Sequence, residues 1–187
     1  MNLWLRLLWV IATAWRRAPI TSPSDVSALP FRVWLHDLDT SLHMNNGRYW
    51  TLMDLGRTDL VIRAGLWRPV LKNGWTPVVS AGKIRFRREL RLFQRLELQT
   101  RLVFWDDTRF VIEHRLVAQE SGAVAAIALV LAGIYDRRQK SFVRVRRLFD
   151  AAGWQGEAPP MSAEVEAFMA AEGALRGATA AASAHPR

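Results

Sequence analysis

The sequence predicts an α+β fold in which an antiparallel β-sheet wraps one long helix, and three observations carry that reading. Residues 46–64 place apolar side chains at helical spacing. From residue 76 the apolar period changes to two and stays there to residue 146, through five segments separated by turn-forming residues. The whole chain has 187 residues, a length that suits one core with an appendage at each end rather than two domains.

From Asn2 to Trp15 the chain is apolar apart from Arg6, with Leu3, Leu7, Val10 and Ala14 recurring at helical spacing and Arg16-Arg17 closing the run. It is shorter than the ~20 residues that cross a bilayer, and its uninterrupted apolar part, Leu7 to Ile11, is short for an export signal. Two roles stay open: a helix docked on its own domain or a second subunit, or an amphipathic helix on a membrane surface through residues 3–15. Pro19, Pro23 and Pro30 mark residues 18–29 as a linker. The domain is therefore expected over 30–150, after an N-terminal region of 1–29, and Phe31 to Leu35 suits its first strand.

The long helix follows over Asn46 to Ala64, with Tyr49, Leu52, Met53, Leu60 and Ile62 on its apolar side and Gly65 as its stop. Residues 66–75, with Pro69 and Asn73-Gly74, read as a connector. Strands are expected over 79–90, 96–105, 109–118, 124–135 and 142–146, linked by hairpin-length turns. In the remainder, 151–187, a short helix over Ser162 to Ala171 precedes an alanine-rich end expected to be disordered.

Composition narrows the chemistry. The chain has no cysteine, which excludes disulfides, thiolate catalysis and the common structural zinc sites. A formal net charge of +9 favours polyanionic partners, whether nucleic acid, acidic lipid or a phosphorylated substrate. No aromatic-basic string of the RNA-recognition kind occurs, so nucleic acid is not expected.

Asp37, Asp39, His43, Asn45 and Asn46 lie within ten residues between a strand and the start of the long helix. The helix start presents unpaired N–H groups and partial positive charge, so amides around Asn46, Gly47 and Arg48 can stabilise an oxyanion. Asp39 can attack a carbonyl or take a proton from water, and His43 can hold that water. Structural roles compete: Asn45 or Asn46 suits a helix cap, and Asp37 suits a surface pair with an arginine such as Arg32. One histidine and two aspartates without a second cluster give no metal site. Lys83, Arg85 and Arg87 alternate with Ile84 and Phe86, either as a solvated sheet face or as cations that grip phosphates. His114, among apolar neighbours, reads as a packed core residue.

The string from Asp37 to Tyr49 resembles the signature of hotdog-fold thioesterases, in the branch with 4-hydroxybenzoyl-CoA and plant acyl-ACP thioesterases. The resemblance extends over about residues 30 to 147, with the loop its specific part. It implies a hotdog fold and hydrolysis of a fatty or aromatic acyl-CoA. The shared pocket of such a fold leads to an expected homodimer or a tetramer built as a dimer of dimers; no cofactor is expected, and the expected setting is cytoplasmic, with peripheral contact at the inner membrane as an option for residues 3–15. Asp39 falls on the acid that serves as nucleophile or general base. In the plant type, where the pattern resembles Asp-x-Asn-x-His, Asp39 and His43 fall on the acid and the histidine, with Ser41 in place of the asparagine. Asn45 and Asn46 match the pair that leads into the helix. The expected catalytic set is Asp39, His43, Asn46 and Gly47; Ser41, Asn45, Tyr49, Arg85 and Arg87 are expected to contact substrate. Acyl-CoA is preferred to an acyl-carrier protein because the cations can meet the CoA phosphates. A noncatalytic acyl- or lipid-binding protein at a membrane is the alternative.

Overall fold

A computed structural model describes residues 3–183. Its elements are helix α1 (Leu3–Ala14), strand β1 (Ser27–Arg32), a 3₁₀ turn (Leu35–Asp37), helices α2 (Asn46–Arg63) and α3 (Trp67–Asn73), strands β2 (Trp75–Phe86), β3 (Arg95–Trp105), β4 (Arg109–Ala118), β5 (Val124–Asp136) and β6 (Ser141–Phe142), and helices α4 (Val145–Ala152) and α5 (Ala163–Ser183). The sheet is antiparallel in the order β1-β3-β4-β5-β2, with β6 added to β5. It curls around α2, the hotdog arrangement.

The inner sheet face packs on α2 through Leu96, Leu98, Leu116, Ala126 and Ala128 against Leu52, Met53 and Leu55. Gly56 lets the helix press on β3, because a Cβ there would lie 2.9 Å from Leu98 Cδ2. The outer face is covered as well: Val165 and Phe168 of α5 pack on Val111 and Leu131. Cover on both faces explains why β5 reads as an almost continuous apolar run.

Several elements differ from the sequence expectations. β1 begins at Ser27, inside the segment read as linker, and carries Pro30. A proline is tolerated there because β1 is an edge strand paired only with β3. The connector contains α3, which accepts Pro69 in its first turn and ends at Gly74 with φ 69°. The strand expected over 142–146 stops at Phe142, and Val145, Leu148 and Phe149 bury one side of α4 instead. The alanine-rich end is helical to Ser183, as alanine's helix propensity allows; residues 184–187 of the expected disordered tail lie outside the described residues.

α1 docks on its own domain. Val10 and Ala14 are buried, and Arg6 is only 3% exposed. Its guanidinium forms a two-pronged pair with Asp37, itself 1% exposed, at 3.0 and 2.6 Å, and also donates to the Arg32 carbonyl. Just past the helix, Arg17 bonds the buried Asp59 of α2 at 2.5 Å, and Arg63 and Ser27 Oγ complete that carboxylate's shell. Asp37 is therefore not paired on the surface with Arg32. Trp4, Leu5, Leu8, Ile11 and Trp15 remain exposed on the opposite side of α1.

Candidate active site

The loop between the 3₁₀ turn and α2 is a small folded unit. Leu38 and Met44 form an isolated antiparallel bridge, the Asp39 amide donates to the His43 carbonyl at 2.9 Å, and the Leu42 amide donates to the Asp39 carbonyl. Leu42 sits at the tip with φ 61° and its side chain exposed, a left-handed conformation that a leucine adopts only under constraint. The unit is pinned on two sides. The Met44 amide donates to the Leu90 carbonyl, and the Asn45 amide donates to the Asp37 carbonyl, both at 2.8 Å. Asp37 thus holds the loop with its backbone while Arg6 holds the Asp37 side chain. Arg48 adds a bond to the His36 carbonyl.

The Asp39 carboxylate is half-buried and accepts the Ser41 amide at 2.9 Å, a local Asx-type bond. Ser41 therefore shapes the loop through its backbone, and its side chain is exposed. Asn45 is the cap of α2: its Oδ1 accepts the Gly47 amide at 2.8 Å, and its carbonyl accepts the Arg48 amide. The Gly47 amide is spent on the cap, which leaves Asn46 as the N–H at the helix start outside it.

His43 has a carboxylate partner from another segment. Its Nε2 lies 2.6 Å from Glu89 Oε2 in the β2–β3 connection, and its backbone pairs with that of Arg91. A carboxylate can only accept, so Nε2 carries the hydrogen, and in the neutral form of the ring Nδ1 is the acceptor. Glu89 also pairs with Arg91. A hydrogen bond from Arg91, with the charges of Arg91 and His43, holds the Glu89 carboxyl below its usual range. Sequence reasoning missed Glu89, because it lies in an arginine-rich strand end 46 positions from His43.

Tyr49 is buried with its ring edge-on to Phe86 at 5.0 Å. Burial pushes its phenol up to about 12, so Tyr49 can donate a hydrogen bond at neutral pH but cannot act as a base. Arg85 stands on the outer face of the sheet, in a basic cavity with Lys83, Arg101 and Arg115 beside the start of α5. Ile84 faces the inner core, so Arg85 points away from α2, to the outer side of the sheet. Arg87 is exposed just past β2, with its amide bonded to the Ala125 carbonyl.

Facing the middle of α2, His114 of β4 is fully buried and forms a relay. Arg57 Nη1 donates to its Nε2 at 3.1 Å, so its Nδ1 carries the hydrogen and donates to Thr100 Oγ1 at 3.0 Å. Burial first, and then the Arg57 charge, hold this histidine well below its usual range, so it is neutral.

Comparisons with known proteins agree with this architecture. A family model described as the thioesterase-like superfamily matches residues 33–169. The chain is 38% identical over 125 residues to Protein THEM6 of Danio rerio, across 67% of this chain and 62% of that protein. It spans, therefore, less than two thirds of that relative's length. Among solved structures, the YbaW probable thioesterase from Escherichia coli superposes with a TM-score of 0.62 at 20% identity, over 66% of this chain and 94% of that one. A putative oleoyl thioesterase from Lactobacillus plantarum gives a TM-score of 0.64 at 14% identity, over 74% of this chain and 56% of that one. At such identities the likeness to solved structures is one of fold. With residues 33–169 matched by that family model, most of its length, the chain belongs to the thioesterase-like superfamily.

Proposed function

We propose that the chain hydrolyses acyl-CoA thioesters at the loop ahead of α2. The observation that carries this reading is Asp39 itself, a half-buried carboxylate held by the Ser41 amide in the folded loop that leads into α2. Water adds to the thioester carbon as Asp39 takes its proton, or Asp39 itself attacks and water resolves the acyl-enzyme anhydride. In either course the carbonyl oxygen gains negative charge. The Asn46 amide and the helix dipole can meet that charge. Collapse expels the CoA thiolate, which is protonated, and the free acid remains. His43, turned by Glu89, offers Nδ1 to the water, and Tyr49 and Asn45 border the bound acyl group. This revises the expected roles in one respect: Gly47 contributes small size beside the cap, and Asn46 supplies the amide.

Removing the Asp39 base should lower kcat by about 10²–10⁴-fold. Asp39→Asn and Asp39→Ala, assayed by thiol release from acyl-CoAs of graded length, test this. Unchanged turnover across that panel would remove Asp39 from the mechanism.

A homodimer completes the reading. β2 is a long edge strand with Val79, Ser80, Gly82 and Phe86 exposed, an edge that pairs readily with a second copy. Pairing there brings cations of one copy toward the loop of the other, the arrangement in which Arg85 or Arg87 can reach CoA phosphates. Sedimentation analysis of the full chain tests it, with a monomer at working concentration as the refuting result.

Contact with a membrane surface is favoured by one observation. Trp4, Leu8 and Trp15 on the outer side of α1 are 69%, 60% and 61% exposed, and Arg16 and Arg68 lie exposed nearby. No helix among the described residues is long and apolar enough to cross a membrane. Surface attachment of an amphipathic helix is the mode this pattern suits. Replacing Trp4, Leu8 and Trp15 by Ser should abolish co-sedimentation with anionic vesicles while the fold persists.

A further inference from the structure

A cavity of about 450 Å³ lies between the C-terminal half of α2 and the inner face of the sheet. Its walls are Leu102, Ile112 and Ile134 from the sheet and Leu60, Val61 and Leu66 from the helix side. Charged groups enter its lining at only one place, Asp54 and Arg57, which pair with each other. The opposite end is closed by Leu148, Phe149 and Trp154. Their position is fixed by hydrogen bonds: Trp154 Nε1 donates to the Ile20 carbonyl, and the Ile20 amide donates to the Arg63 carbonyl in the last turn of α2. Phe149 stacks edge-on with both Trp105 and Trp154, so the floor is a rigid aromatic cluster.

The cavity is thus a long apolar slot with polar groups at one end. From Asp54 to Ile62 it follows α2 for about 12 Å, at 1.5 Å per residue. Its mouth lies about 12 Å along the helix from Asn46 by the same rise. Asn46, Trp50 and Asp54 succeed one another at intervals of four, so they share one face of the helix. Trp50 lies against Gly82 of β2, where a Cβ would come within 2.8 Å of its ring. The same face of α2 thus leads from the loop toward the slot, with the Trp50 indole and β2 between the two. A planar aromatic acyl group ends before the mouth, whereas a long unbranched tail enters it. Only the second gains by burial there.

We propose that this slot receives the distal part of a long, unbranched aliphatic acyl chain, and that Leu148, Phe149 and Trp154 set the greatest length it accepts. The proposal rests on the thioester-hydrolase reading for the identity of the headgroup, and on the slot alone for the class of tail. Short acyl groups are discriminated weakly, because they do not reach the mouth. Past it, each buried methylene tightens binding about 4-fold, until the aromatic floor stops the gain.

The test uses free saturated fatty acids of graded length, titrated calorimetrically below their micelle concentrations, against the full chain and Leu148→Trp. Turnover of the matching acyl-CoAs is measured in parallel. The expected result is an affinity that climbs with length and then levels, with the plateau reached at a shorter chain in Leu148→Trp. Should that variant unfold, Ala132→Leu, which narrows the wall from the sheet side, takes its place. An affinity that does not climb with length, or a plateau unmoved by either variant, overturns the proposal. The two readings fail separately: a length gradient without turnover of any acyl-CoA leaves the tail slot standing and removes the hydrolase, and turnover without a gradient does the reverse.

Discussion

Replacing Arg6 by Met tests whether α1 is part of the domain's load path to the acidic loop. Arg6 and Asp37 are both almost wholly buried, and their pair is two-pronged at 3.0 and 2.6 Å. Removing one partner of such a pair leaves a buried charge uncompensated and costs about 3–5 kcal/mol. Asp37 keeps the Trp34 amide at 2.9 Å, with His36 Nε2 at 3.5 Å and Arg48 Nε at 3.9 Å, so the lower end applies. At roughly 2–4 °C per kcal/mol for a chain of this size, a loss of about 3 kcal/mol lowers Tm by about 6–12 °C. Thermal and urea unfolding followed by circular dichroism measure it. A double variant with Asp37→Leu should recover part of the loss, because a pair of apolar side chains leaves no charge stranded. Turnover should fall in Arg6→Met, because Asp37 also accepts the amide of the α2 cap residue. A loss of less than about 1 kcal/mol, the value of a surface pair, refutes the reasoning.

Three further outcomes are expected. His114 is buried and neutral, so the unfolded chain binds its proton more readily; the resulting stability is whole above the unfolded value of about 6.5 and is lost as pH falls below it. Between pH 7.5 and 5.5 this contributes about 1.4 kcal/mol, and the difference in urea midpoint between those conditions should shrink in His114→Gln. Asn45→Ala removes the α2 cap and should cost about 1 kcal/mol in unfolding experiments. Gly56→Ala should cost about 1–3 kcal/mol by forcing α2 off Thr100 and Leu98 of β3, measured the same way.

Much of the fold was legible because periodicity reports burial directly. α2 was read to within a residue, since Tyr49, Leu52 and Met53 repeat at helical spacing and all are buried. β3, β4 and β5 were read nearly as well, since their inward residues alternate. Short elements escaped. α4 alternates poorly as a strand, but Val143 and Val145 beside Arg144 and Arg146 imitate one, and only the packing of Leu148 and Phe149 decides for helix. In the site, the acidic loop was visible because its residues are contiguous. The partners of that loop were not, since Glu89 and Arg6 come from segments 46 and 31 positions away from His43 and Asp37. No local pattern links them. Arg6 in particular reads as an interruption of an apolar run, although it is the residue that ties α1 to the domain.

That tie sets where the molecule tolerates an addition. A fusion partner or affinity tag joined ahead of Leu3 pulls on a helix whose inner side anchors Asp37, and through it the cap of α2. Trimming the chain back to Pro30 removes Arg6, Arg17 and Ser27 together, so that buried Asp37 and Asp59 each lose part of their shell, with Arg63 left on Asp59 and the Trp34 amide on Asp37. The last turns of α5 before residue 180 are exposed and contribute nothing to the loop, so the far end of the chain is the place for a tether to a surface or a label.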